Sequence, residues 1–342
     1  TLSDATGGTS SGTATSVSDL TGLRDAARDG GNVQLSGDIA LTGTLSINNK
    51  KLSIDLNGHT ITAANNQRAF NISNGGTLEI KDSVGKGIIQ GNGTVTGHGG
   101  AIYMEGSGSA LTISGGTIQG FTASTSGGGV YMSDGTFNMT GGAIENCTAH
   151  EGAGVEVYPD PGKTCTFTMS GSAEIKNCSN DGVSVTSAAG GQKSEFIMNG
   201  GTIQGTKGRG VCAFEDNASI TLNGGTIKYT DPENFNVDIR FGATLTANNG
   251  VTVSGKVFNM RGTIQGDGTA QFTGTVENAG TGKIESGIFN RIEDRRQGGT
   301  FGNIQCDEFV YLISNGWPEF NSQPGSSFSL KFLSYVSAPT MT

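Results

Sequence analysis

The chain has 342 residues, of which 58 are glycine, more than double the ordinary share of about 7%. With only six prolines and no Gly-X-Y period, collagen and proline-rich disorder are excluded. The 21 basic against 30 acidic residues give a net charge of −9, which lacks the basic stripe a nucleic-acid partner needs, and no run of about 18 apolar residues offers a membrane span.

The first residues, "TLSDATGGTSSGTATS", read as a flexible polar lead over 1–17. Together with the ending "SAPTMT", they suggest a piece of a longer, exported protein. Residues 18–31, "SDLTGLRDAARDGG", then predict a short amphipathic helix. Ser18 is the expected N-cap, Leu20, Leu23 and Ala27 the apolar face, and Gly30–Gly31 the stop. Such a helix would close the open end of a stacked structure.

Beyond the helix the chain becomes repetitive. "LTISGGTIQG" at 111–120 returns as "FNMTGGAIEN" at 137–146, "FIMNGGTIQG" at 196–205 and "ITLNGGTIKY" at 220–229. Three families of short segments recur in order. The first includes "KLSIDL" (51–56), "ALTISG" (110–115) and "TFTMSG" (166–171). The second includes "GTIQG", "GAIEN" and "AEIKN"; the third includes "AIYME" (101–105), "GVYMS" (129–133), "GVEVY" (154–158) and "GVCAF" (210–214). Each alternates apolar and polar residues, so each predicts a strand with one buried face. Segments this short are stable only when stacked. Three per turn, with glycine corners, predict an all-β parallel β-helix over 18–283, capped by the helix. Leu111, Phe137, Phe167, Phe196 and Ile220 should then form one internal column, and Ile118, Ile144, Ile175, Ile203 and Ile227 another.

Residues 284–342 lose the repeat and gain aromatics, including Phe289, Phe309, Trp317 and Phe332, which predicts irregular final coils and a C-terminal cap. The five cysteines show no CxxC pair or zinc spacing. Cys147 and Cys178 occupy equivalent places on adjacent coils, as stacked thiols or as a disulfide.

The stretch "LRDAARDGGNVQLSGDIALTGTLSINNKKLSIDLNGHTI" (23–61) resembles the entry into a pectin-lyase-like right-handed β-helix, and the GGTI-rich coils resemble adhesin-like surface proteins of gut bacteria. The resemblance covers roughly residues 18–265 and implies the fold. For function it implies a wide choice, since the superfamily holds lyases, glycoside hydrolases, tailspikes, adhesins and stalks.

The first two families present plain polar ladders outward, with Glu145 beside Lys176 as an expected surface pair. The third differs. Its outward columns read Asn71, Tyr103, Tyr131, Glu156, Ser184, Cys212 and Asp238 and, two residues on, Ser73, Glu105, Ser133, Tyr158, Thr186, Phe214 and Arg240. Aromatic faces that stack on sugar rings, mixed with carboxylates that accept hydroxyls, predict a ligand-binding face built from Tyr103, Glu105, Tyr131, Glu156, Tyr158, Phe214 and Arg240. The expected partner is a glycan or a host surface protein.

An enzymatic reading needs more. "GHG" around His98 resembles the polygalacturonase branch, but the paired aspartates and "NTD" of that branch are missing, so His98 reads as a corner residue. No cofactor is expected; calcium is conceivable if Asp181, Glu156 and Glu151 approach one another, though no base accompanies them. Glycoside hydrolysis needs two carboxyls about 5 Å or about 6.5–9.5 Å apart. Asp231 and Asp238 in "DPENFNVD" are the best pair, unless Asp238 pairs with Arg240 instead. The leading expectation is an exported bacterial surface β-helix acting as an adhesin or ligand-binding module; the alternative is a β-helix glycoside hydrolase or polysaccharide lyase.

Overall fold

A computed structural model describes residues 13–187, 192–228, 234–295, 299–312 and 327–330. It is a parallel β-helix. Among the described residues, 31 strands join one sheet system, and every strand pairing within it is parallel. The first side of the coil carries strands such as Ala110–Ile113, Gly135–Met139 and Cys165–Met169. The second carries Thr117–Gln119, Ala143–Glu145 and Glu174–Lys176. The third carries Ile102–Met104, Val130–Met132, Val155–Val157, Val183–Thr186, Val211–Phe214, Val237–Arg240 and Val257–Met260.

Both expected internal columns are present in register. Leu111 faces Phe137, which faces Phe167, then Phe196, then Ile220, all fully buried. The rings of Phe137 and Phe167 stack with centroids 4.5 Å apart, those of Phe167 and Phe196 at 5.0 Å. Ile118, Ile144, Ile175, Ile203 and Ile227 form the second column. Each such side chain contributes about 1.5–3 kcal/mol by leaving water. The glycine pair between the two sides is required sterically. Gly142 adopts φ +74°, and a β-carbon there would come within 2.5 Å of the Gly116 carbonyl oxygen, at the same corner one coil earlier.

The N-terminal cap is a helix over Leu20–Asp29, with Leu23 and Ala27 buried against the first coils. Its N-cap is Asp19, not Ser18: Asp19 Oδ1 accepts the Gly22 amide at 2.9 Å, bonding the third residue after it as a cap does. Gly30 ends the helix, its amide donating to the Ala26 carbonyl at 2.8 Å. The lead also departs from expectation. Thr15–Val17 forms a strand parallel to Gly31–Leu35, because its amides and carbonyls find partners on the first coil. A further short side lies between the second and third, where Thr94–Val95 pairs with Thr122–Ala123. At the other end, Lys283–Arg295 and Thr300–Leu312 continue the parallel pairing past residue 283. Of the final coils and cap expected over 284–342, residues 296–298, 313–326 and 331–342 fall outside the described residues. Among the described residues, no helix is long and apolar enough to cross a membrane.

Candidate functional site

The third side aligns one residue from each coil into a single outward column: Asn71, Tyr103, Tyr131, Glu156, Ser184, Cys212, Asp238 and Phe258. The direction is as expected; the exposure is not. Tyr131 is 6% exposed and Glu156 1%, while Cys212 and Asp238 are fully buried. The glycine-rich segments that precede these strands lie down over the column. A β-carbon on Gly152, at φ +49°, would sit 2.5 Å from Glu156 Oε2, so only glycine lets this segment pass so close. The His98 ring covers Tyr131 with centroids 4.5 Å apart.

Three groups occupy the column. In the first, Tyr103 and Tyr131 stack at 5.4 Å with planes 8° apart, and the Arg68 guanidinium lies 4.9 Å from the Tyr103 ring centre. Arg68 Nη2 donates to the His98 carbonyl at 2.9 Å, and Asn71 Nδ2 donates to Glu105 Oε1 at 3.3 Å. Burial raises the phenol pKa of both tyrosines, and burial with nearby Arg68 lowers that of His98. Arg68, Asn71, His98, Tyr103 and Glu105 are all half-buried, and Tyr131 is the member of this group that is covered.

Glu156 forms the second group alone. Neither carboxyl oxygen makes a hydrogen bond of ordinary geometry. Burial pushes its pKa well above the usual carboxylate range, and the Ser184 hydroxyl beside it offsets only part of that.

The third group is an alternation of charges against aromatic rings. Arg209 donates to Asp181 through Nε and Nη2, both at 2.8 Å, and to Asp238 through Nη1 at 3.3 Å. Arg240 donates through Nε to the two Asp238 oxygens at 2.8 and 3.0 Å. The Arg209 guanidinium lies 4.9 Å from the Phe214 ring centre; that of Arg240 lies 5.9 Å from Phe214 and 4.9 Å from Phe258. Phe235 stacks on Phe258 at 4.9 Å. Phe214, Phe235 and Phe258 are all half-buried, and Phe241, next to Arg240 in the chain, is 41% exposed. Tyr158, two coils before Phe214 in the second outward column, is 36% exposed.

The residues expected on this face are therefore divided. Tyr103, Glu105, Tyr158, Phe214 and Arg240 reach the surface, whereas Tyr131 and Glu156 are covered. Asp238 is held between two arginines, and Asp231 lies outside the described residues. Among the described residues, no three His, Cys, Asp or Glu side chains are grouped to hold a metal ion. Of the three carboxylates considered for calcium, Asp181 binds Arg209, Glu156 is buried and Glu151 is exposed. Arg68, Phe235 and Phe258 are additions to the expected set. Phe258 carried a signal, because "VFNM" at 257–260 alternates as the earlier third-side strands do.

No protein-family model matches the chain, and neither a curated protein nor a solved structure matches it.

Proposed function

We propose that this chain is a ligand-binding solenoid of an exported bacterial surface protein, engaging a glycan along the third side of its coil. The observation that carries the reading is the line of partly exposed aromatics there, Tyr158 and Phe214 with Phe258 beyond, interleaved with Arg240. Aromatic faces suit the C–H faces of sugar rings, and a rigid sheet holds them with little entropy left to lose on binding. A host surface protein is the other occupant such a patch would suit, since tyrosine and arginine are enriched at protein interfaces.

The hydrolase alternative has weaker support. A nucleophile or base needs a free carboxylate, and both Asp238 oxygens already accept from arginine nitrogens.

A glycan array probed with the parent chain and with Tyr158→Ala and Phe214→Ala variants tests the reading. Binding by the parent that weakens on the order of tenfold in folded variants supports it. Silence of the parent across the array refutes the glycan reading and turns attention to protein partners.

A further inference from the structure

Arg209 and Arg240 look alike in sequence but are used differently. All three side-chain nitrogens of Arg209 are engaged, two with Asp181 and one with Asp238. Arg240 engages only Nε, with Asp238. Its two Nη groups make no hydrogen bond with any described residue, and the side chain keeps 30% exposure. Phe258 and Phe214 flank its guanidinium.

We propose that Arg240, held between Phe214 and Phe258, seats a single carboxylate on the terminal sugar of a glycan. This inference rests on the proposed glycan binding and narrows it to end sugars that carry an acid.

The geometry favours that class for three reasons. First, a guanidinium whose Nε is already fixed presents its Nη donors in a rigid plane, which suits the two oxygens of a carboxylate. Asp238 and the two rings have removed the side-chain freedom that binding would otherwise cost. Second, half-buried Phe258 and Phe214 lie 4.9 and 5.9 Å from that guanidinium, so a sugar ring attached to the carboxylate has an apolar surface to pack on.

Third, the platform is short. Phe214 lies on the coil before Arg240 and Phe258 on the coil after, so it spans two coil spacings, about 10 Å. Beyond Phe258 the column continues with Glu277 and then Glu293. The arginines on that stretch, Arg291 and Arg295, are already paired with these carboxylates and with Glu308. A polyanion laid along the coil axis would therefore gain little there, whereas a chain acidic only at its tip needs Arg240 alone. Glu277 and Glu293 both contact Arg295, at 3.2 and 3.4 Å, and Arg291 binds Glu293 and Glu308 at 2.8 Å each.

The experiment is calorimetric titration of the whole chain with glycan pairs that differ by one terminal acid. Sialyllactose is compared with lactose, and a glucuronic-acid-capped disaccharide with its glucose-capped counterpart. The expected result is acid-bearing binding tighter on the order of tenfold in at least one pair, with Arg240→Gln abolishing the difference. Arg240→Lys keeps a charge beside Asp238 and protects the test against a folding defect; it should lose most of the preference because it lacks the planar fork. Equal affinity within both pairs, or a preference unchanged in both Arg240 variants, overturns the inference. If neutral glycans still bind and Phe214→Ala still weakens them, only the acid-sugar inference falls. If no glycan binds at all, the glycan-binding reading falls with it.

Discussion

Arg209 clasps Asp181 of the preceding coil through two parallel hydrogen bonds, Nε to Oδ1 and Nη2 to Oδ2, each 2.8 Å long. The same guanidinium reaches forward to Asp238 on the following coil, so one side chain ties three turns of the solenoid together. Both carboxylates are fully buried; Asp238 also binds Arg240, whereas Arg209 is the cation paired with Asp181 among the described residues.

Arg209→Ala should therefore destabilise the chain by about 3–5 kcal/mol, the cost of leaving buried charge unpaired. Arg209→Lys should recover only part, because an ammonium cannot reproduce the fork. Chemical denaturation followed by circular dichroism checks both. A loss below about 1 kcal/mol for the alanine variant would show that the clasp behaves as a surface pair.

Glu156 gives a pH dependence with a definite sign. Burial raises its folded pKa above the ordinary 4.5, so the native state retains a proton that the unfolded chain releases. The stability from this protonated form is fully present below about pH 4.5 and declines as pH rises toward the folded pKa, by about 1.4 kcal/mol per pH unit. Glu156→Gln, which cannot ionise, should flatten that decline and become the more stable form at alkaline pH. Melting curves at pH 5 and pH 8 decide it, and parallel profiles for the two proteins would refute the assignment.

Inside the coil, Phe167 is stacked between Phe137 and Phe196. Phe167→Ala should cost about 3–5 kcal/mol, as a large aromatic removed from a packed column leaves a void. Its neighbour Thr168 points the other way and is half-exposed, so Thr168→Ala should stay within about 0.5 kcal/mol. Equal effects from the two substitutions would contradict the register.

The five cysteines are free and buried. Burial pushes the Cys178 thiol up to about 12 and that of Cys306 to about 11, far from the thiolate form that reacts. A thiol-specific chromogenic reagent at pH 8 should therefore label none of them in the folded chain and all five after unfolding. Three thiols in the unfolded, unreduced chain would reveal a disulfide, with Cys147 and Cys178 the first pair to examine.

The coil was legible in the sequence because its period-two alternation and paired-glycine corners are local. Residues such as Ile118 and Ile144 declare their column by position alone, and the register comes with it. The cover over the third side was not legible. "GHGG", "SGGG" and "EGAG" read as corners, yet the small size of these residues is what lets the chain lie flat on Tyr131 and Glu156. Alternation tells which way a side chain points, not whether something lies on top of it. The Asp238–Arg240 contact was visible because it spans two residues; the Arg209 contacts span 28 and 29 and belong to tertiary structure.

The stacking register of the coils also makes the molecule a ruler graduated in whole turns. Removing residues 117–142 would join Gly116 to Ala143, the residue that stands opposite Thr117 one coil later, and every remaining strand would still find a partner. Each turn gained or lost moves the Arg240 platform by about 4.8 Å relative to the capping helix. The reach of this binding surface is thus set by counting turns, and evolution or an engineer can reset it without redesigning a single contact type.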